Sequence, residues 1–324
     1  MTFSLSRRSV LGAGAFAALG SRVSLAQSYP VRPIRWVVGY PPGGTTDVLA
    51  RIVAEPLSRR LGQQVYVENR PGAGNNIGTE AVVNAEPDGY TILLVNPANG
   101  INSTLYKKLN FNFVQDIAPV AGITRSPNIM EVTPSLPVKT VAEFIAYCKA
   151  NPGKVNMASS GLGTSVHMSG ELFKAMTGVD MVHVPYRGAG PAITDLLSGQ
   201  AHVLFDNLPS SVEHVRSGGL RALAVTAAER SPALPDVPTV AETVPGYEAS
   251  AWFGIGAPKR TPPELIQRLN KEVNAILEDP AMVKRLADLG GTPLRLSPAE
   301  FGKVIVEETE KWKKVVEFSG AKLD

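Results

Sequence analysis

Short runs of β-forming residues alternate along this chain with stretches in which apolar residues recur at helical spacing, and that alternation limits the possible folds most. Ile34-Arg35-Trp36-Val37-Val38 reads as a strand. Val48, Leu49, Ile52, Val53, Leu57 and Leu61 then mark one face of a helix that Gly62 ends. Val65-Tyr66-Val67 and Thr91-Ile92-Leu93-Leu94-Val95 are the next strands. The middle repeats the grammar, with strands at 155–158, 181–184, 202–205 and 222–225 and a helix through Met168, Leu172 and Met176. Two capped helices follow, framed by Thr261 with Glu264 and by Ser297 with Pro298 and Glu300. Strands separated by helices need crossover connections, so the pattern predicts an α/β fold with mostly parallel sheets.

Charge removes several function classes. The chain carries 32 Lys+Arg against 29 Asp+Glu. Three of the basic residues (Arg7, Arg8, Arg22) lie in the first 26 positions, which hold no acid, so the remaining 298 residues are neutral overall. A neutral body without a Lys/Arg block is a poor match to nucleic acid. At ~150 residues per domain, 298 residues suggest two domains, each with its own core. The single cysteine, Cys148, excludes an internal disulfide and a cysteine-based zinc site. It shares a helical face with Val141, Phe144 and Ile145 and reads as core.

The first 26 residues read as a signal peptide of the twin-arginine type. Ser6-Arg7-Arg8-Ser9-Val10-Leu11 precedes an uncharged run to Gly20, and Ser24-Leu25-Ala26 offers a cleavage site, so a mature chain is expected from about Gln27. The run is too short to span a bilayer, which needs ~20 residues.

Two Gly-rich loops stand between a strand and a helix start: Pro42-Gly43-Gly44-Thr45-Thr46-Asp47 and Ser160-Gly161-Leu162-Gly163-Thr164-Ser165. Such loops leave backbone N–H groups unpaired at the positive end of a helix, with hydroxyls beside them, which suits a carboxylate or phosphate. With one loop per domain, the two would face each other across a cleft. Gly44 is expected to let the backbone approach a ligand and to take up an unusual φ. Asp47, a poor neighbour for an anion, is expected to satisfy N–H groups of the first helical turn. There is no P-loop and no G-x-G-x-x-G, so no nucleotide cofactor is indicated.

Catalytic and metal patterns are thin. G-x-S-x-G is absent. Ser165 and His167 are two apart, which points them in different directions on a helix. His167, His183, His202 and His214 show no metal-ligand spacing, and His183 and His202 read as structural. Asp206 ends a strand, where α/β ligand sites gather, with a turn cap as the alternative. The Pro-rich stretches at Ser126-Pro127 and from Pro232 to Pro245 are the candidate linkers.

Taken together, Pro41-Pro42-Gly43-Gly44-Thr45-Thr46-Asp47, Glu68-Asn69-Arg70-Pro71-Gly72-Ala73-Gly74, Asn151-Pro152-Gly153-Lys154, residues 159–173, Val182-His183-Val184-Pro185-Tyr186-Arg187-Gly188, Phe205-Asp206-Asn207-Leu208 and residues 220–240 resemble the solute receptors of the tripartite tricarboxylate transporters, the Bug receptors. The match runs in order through nearly all of the mature chain. It implies a two-domain periplasmic binding-protein fold that closes on its ligand like a flytrap. Residues 27–126 and 250–324 would form one domain and 127–249 the other.

The resemblance further implies a periplasmic monomer that captures a small carboxylate, a di- or tricarboxylate or an aromatic acid, and delivers it to an integral-membrane permease. No catalytic residue, metal or cofactor is implied. Carried over by position, the ligand contacts are Gly43, Gly44, Thr45 and Thr46 on one side and Ser160, Gly163, Thr164 and Ser165 on the other. Asp47, His167 and Asp206 fall near the cleft, and Tyr40 and Tyr186 could tune it. Met130 and Glu131 interrupt a strand that is apolar in the family, which leaves its register open. A periplasmic hydrolase or isomerase on the same frame is the alternative.

Overall fold

The computed structural model describes residues 29–321; the signal-peptide expectation lies outside them. The elements of the first half of the chain are β1 (Ile34–Val38), α1 (Thr45–Leu61), β2 (Val65–Asn69), α2 (Asn76–Val83), β3 (Thr91–Val95), α3 (Pro97–Leu105), α4 (Phe113–Asp116), β4 (Ile117–Val132) and α5 (Val141–Ala150). They continue as β5 (Val155–Ser159), α6 (Ser165–Thr177), β6 (Met181–Pro185), α7 (Ala189–Ser198), β7 (Val203–Asn207), α8 (Leu208–Arg216) and β8 (Arg221–Val225). The rest is β9 (Ser250–Pro258), α9 (Pro263–Glu278), α10 (Pro280–Asp288), β10 (Thr292–Pro293) and α11 (Pro298–Ser319).

The strands follow the order β2-β1-β3-β9-β4-β7-β5-β6, with β8 and β10 paired to β4. β2, β1 and β3 are parallel, as are β6, β5 and β7, while β9 and β4 run antiparallel to their neighbours. The mostly parallel sheets of the sequence reading are therefore each closed by antiparallel strands. β4 is the crossing. Its residues up to Pro127 pair with β9, and from Asn128 onward it pairs with β7.

Each half buries its own core. Ile34, Trp36 and Val38 of β1 pack with Leu49, Val53 and Leu57 of α1 and with Leu269 and Val273 of α9. In the other half Phe144, Met157, Phe173 and Phe205 pack together, and Cys148 lies wholly buried among them, where desolvation pushes its thiol up to about 12. α11 serves both halves: Phe301 and Ile305 pack against Trp252, whereas Trp312 and Val316 enter the second core.

Two local readings change. The segment from Pro232 to Pro245 is no linker. Thr239 and Glu242 cap one another there, seating Val240 and Val244 in the second core, and Thr239 bridges to Val225. The open register of β4 resolves as a bulge against β8 between Met130 and Glu131, with Met130 in the core and Glu131 wholly buried.

Candidate functional site

Between the halves lies a small cavity of about 30 Å³. The strand-to-helix turns on each side deliver its walls, because parallel strands end at one edge of the sheet and their helices begin there. Tyr40, Pro41, Gly44, Thr45 and Thr46 come from the turn after β1, and Ser160, Thr164 and Ser165 from the turn after β5. Asn96 and Pro97 after β3, Ala189 after β6, Asn207 after β7, and Phe253 on β9 complete it.

Five helix N-termini thus converge: α1, α3, α6, α7 and α8. Asn96 caps α3 and Thr164 caps α6, but α1, α7 and α8 have no side-chain cap. Among the described residues, no Asp, Glu, Lys, Arg or His lines the cavity. An anion seated here would meet peptide N–H groups and helix dipoles instead of a counter-charge. No metal-binding cluster occurs among the described residues.

The halves meet around this space. Thr45 Oγ1 lies 2.9 Å from Ser210 Oγ on α8. A Cβ on Gly44 would sit 3.6 Å from Ala189 Cβ, and one on Gly163 would overlap Asn102 Oδ1 of α3. The unusual backbone falls on Gly43, at φ 91°, while Gly44 is extended at φ −86°. The expectation of an unusual φ at Gly44 is therefore wrong by one residue.

The remaining expected contacts stand behind the wall. Asp47 accepts hydrogen bonds from Gly43 N (3.1 Å), Arg51 Nε (3.0 Å) and Asn69 Nδ2 (3.0 Å). Burial raises its pKa, but those bonds outweigh burial and hold it below the usual range. Gly43 gives its N–H to that carboxylate, so Gly43 and Asp47 shape the loop and do not line the cavity. His167 Nδ1 accepts from Gly163 N at 3.3 Å, and its ring stacks on His183 at 4.0 Å. His183 Nε2 lies 2.7 Å from Ser159 Oγ. Burial lowers His167 to about 3 and His183 to about 4, so both are neutral braces of the second loop.

Tyr186 faces an adjoining cavity of about 530 Å³, together with Tyr106 and Arg187, and its hydroxyl donates to Asp195 Oδ2 at 2.7 Å. The two cavities share Tyr40, Pro41 and Ser160. Asp206 is wholly buried next to Asn207, whose side chain donates to Ser165 Oγ at 3.2 Å. Sequence reasoning missed Pro41, Asn96, Pro97, Ala189, Asn207 and Phe253. The Asn96-Pro97 pair was available as a capped helix start with Pro at its first position.

Two α/β halves joined by long strands around a cleft of helix N-termini define a binding protein of the periplasmic type. The chain belongs to the tripartite tricarboxylate transporter receptor family, which it matches over residues 49–321. It is 41% identical to protein BugT of Bordetella pertussis, across 95% of both chains. Among solved structures it resembles Rpa4515 of R. palustris with adipate, at 40% identity and a TM-score of 0.89, covering 91% of this chain and 100% of that one. MatC from Rhodopseudomonas palustris with bound malate is 33% identical with a TM-score of 0.85, covering 89% and 100%.

Proposed function

We propose that this protein is an exported, periplasmic receptor that captures a small carboxylate between its two halves and hands it to the integral-membrane permease of a tripartite tricarboxylate transporter. The observation that carries the reading is the convergence of five helix N-termini on a cavity without a charged side chain. Such a site recognises an anion by N–H groups and hydroxyls and offers no nucleophile with an activating base, so no catalytic residue is assigned. Adipate and malate in the two similar structures support carboxylates as the ligand class.

Residues 29–126 with most of 250–321 act as one domain and 127–249 as the other, with α11 strapping them together. Gly44, Thr45 and Thr46 grip the ligand from one side and Ser160, Thr164 and Ser165 from the other, with Asn96 and Asn207 beside them. The protein works as a monomer. A thermal-shift series with adipate, malate and an aromatic acid tests the reading. A cognate acid at ~100 times its Kd adds ~2.7 kcal/mol, a shift of several degrees. No stabilisation by any carboxylate, or recovery of the acid as a new compound, overturns it.

A further inference from the structure

A chain of hydrogen-bonding oxygens leads from the cleft into the second half. Thr45 lines the cavity, and its Oγ1 lies 2.9 Å from Ser210 Oγ. Ser210 Oγ is in short contact with Asp206 Oδ2. Ser211 Oγ lies 3.0 Å from the same carboxylate oxygen and 2.6 Å from Glu131 Oε1. Both carboxyls are wholly buried, and Asp206 Oδ1 and Glu131 Oε2 have no hydrogen-bond partner.

The surroundings hold little compensating charge. Leu204 packs with Ile193 and Leu196 of α7 while Phe205 contacts Phe173 of α6, so alternation turns Asp206 toward α7 and α8. On that side Asp195 of α7 is bonded by Tyr186, and on α8 Glu213 pairs with Arg216 beside His214. Asp47 and Arg51 of α1 pair with each other, as do Arg125 of β4 and Glu308. Arg221 of β8 donates to backbone carbonyls, and β5 carries no titratable side chain. His167, Glu171 and Lys174 belong to α6, on the other face. Burial raises Asp206 to about 6 against hydrogen bonds from Ser210, Ser211 and Asn207 and the pull of His214. Burial, then Asp206, raises Glu131 well above its ordinary value.

Counting protons gives the chain a direction. Each link needs one proton and each hydroxyl supplies one. Four links join three hydroxyls to two carboxyls, and Ser210 Oγ also lies 2.9 Å from the Asn207 carbonyl, an acceptor that brings no proton, so at least one carboxyl must be protonated. Glu131 is that acid. It donates to Ser211, Ser210 and Ser211 both donate to the Asp206 carboxylate, and Thr45 donates to Ser210. Thr45 then turns only lone pairs toward the cavity, which repel a ligand carboxylate. A proton added to Asp206 lets the order reverse: Asp206 donates to Ser210, and Ser210 then chooses between Asn207 O and Thr45, both 2.9 Å away; a ligand carboxylate that accepts from Thr45 selects the second.

We infer that seating a ligand carboxylate at Thr45 takes up one proton at Asp206, which with Glu131 and Ser210 is a positioning residue that sets the direction of the Thr45 hydroxyl. This rests on the carboxylate-receptor reading above. The test is isothermal titration with adipate, and with malate in parallel, in two buffers of different ionisation enthalpy between pH 6.5 and 8.5. Carboxylates of ordinary pKa are ionised throughout that range. Binding should take up close to one proton at pH 8.5 and weaken up to tenfold per pH unit.

Asp206→Asn, whose amide always donates to Ser210, and Ser210→Ala, which breaks the chain, should bind without proton uptake and with a flat pH profile. His214→Gln should keep the uptake. A merely structural role for Asp206 would change affinity or melting temperature and leave the pH slope intact. A flat wild-type profile, or a full slope in Ser210→Ala, overturns the inference alone. If no carboxylate, acetate at high concentration included, stabilises the protein at any pH, the receptor reading fails and takes the inference with it.

Discussion

Gly163 offers the sharpest test of closure, because its substitution has one cost inside its own loop and another across the cleft. Its φ is 72°, so an alanine there sits in the left-handed region at roughly 1–2 kcal/mol, open or closed. The added Cβ would also overlap Asn102 Oδ1 and lie 3.2 Å from Leu105 Cδ2, both on α3, which comes from the other half of the chain's sheet and which the proposed opening would draw away. To make room, Asn102 must release Gly74 O (2.7 Å) and Asn76 Oδ1 (3.1 Å), at ~0.5–1.5 kcal/mol each. Closure therefore loses ~1–3 kcal/mol, which is roughly 5- to 150-fold in affinity. Gly178→Ala is the control: it has the same handedness at φ 68° with nothing within 4 Å of the added Cβ. Titration with adipate should show the loss for Gly163→Ala alone, while both variants melt lower. Small-angle scattering should show Gly163→Ala less compact with ligand present. Equal affinities in the two variants would refute the argument that ligand binding needs this contact.

Three further outcomes follow from the same geometry. Replacing one ligand carboxylate by its neutral amide should weaken binding, as measured by titration, since helix N-termini favour the anion; equal affinity would point to apolar recognition around Tyr40 and Phe253. Gly44→Val should weaken binding more than Thr45→Ala, because its methyls enter the 3.6 Å gap to Ala189, whereas Thr45→Ala removes one hydroxyl at ~0.5–1.5 kcal/mol; titration of both variants decides the order. His167 and His183 have folded values near 3 and 4 against 6.5 unfolded, so the unfolded chain takes up their protons first and the pair's contribution is lost as pH falls from 6.5 toward 3; His183→Gln should flatten that limb of the melting temperature.

Much of this was legible because it is local. β-branched strands such as 34–38 and the apolar spacing of α1 identify themselves within ten residues, and the Gly-rich turns mark helix starts. Asp47 shows where local reading divides. Its partner Arg51 stands one turn away at the i,i+4 spacing, which already makes it a loop brace more than a ligand contact. Ala189, Asn207 and Phe253 were not legible as cavity walls, since each reaches the cleft only through the order of strands. The Glu131–Ser211–Asp206 cluster joins residues 80 and 5 positions apart, and what unites them is the antiparallel pairing of β4 with β7. A polar residue in an apolar strand looked like a fault in the pattern. In the fold its carboxyl is linked to that of Asp206 through Ser211.

The division between uncharged grip and buried acid has a physical consequence for what such a receptor can distinguish. Backbone N–H groups at helix ends recognise a carboxylate without reading what it is attached to, since the dipole falls off within one turn. Discrimination among acids must then come from the rest of the space, and the adjoining cavity walled by Tyr106, Tyr186 and Arg187 shares Tyr40, Pro41 and Ser160 with the first. Substitutions there should exchange one acid for another, whereas substitutions in the Gly-rich turns should weaken all acids together. A charged side chain in the cleft would have bound the anion more simply. It would also have attracted the opposite half or a stray ion in the empty state, and closure would then report charge rather than ligand. With no charged side chain on the first cavity, the closure proposed above gains most when a carboxylate completes the hydrogen bonds that Ser165 and the uncapped turns of α1, α7 and α8 leave open.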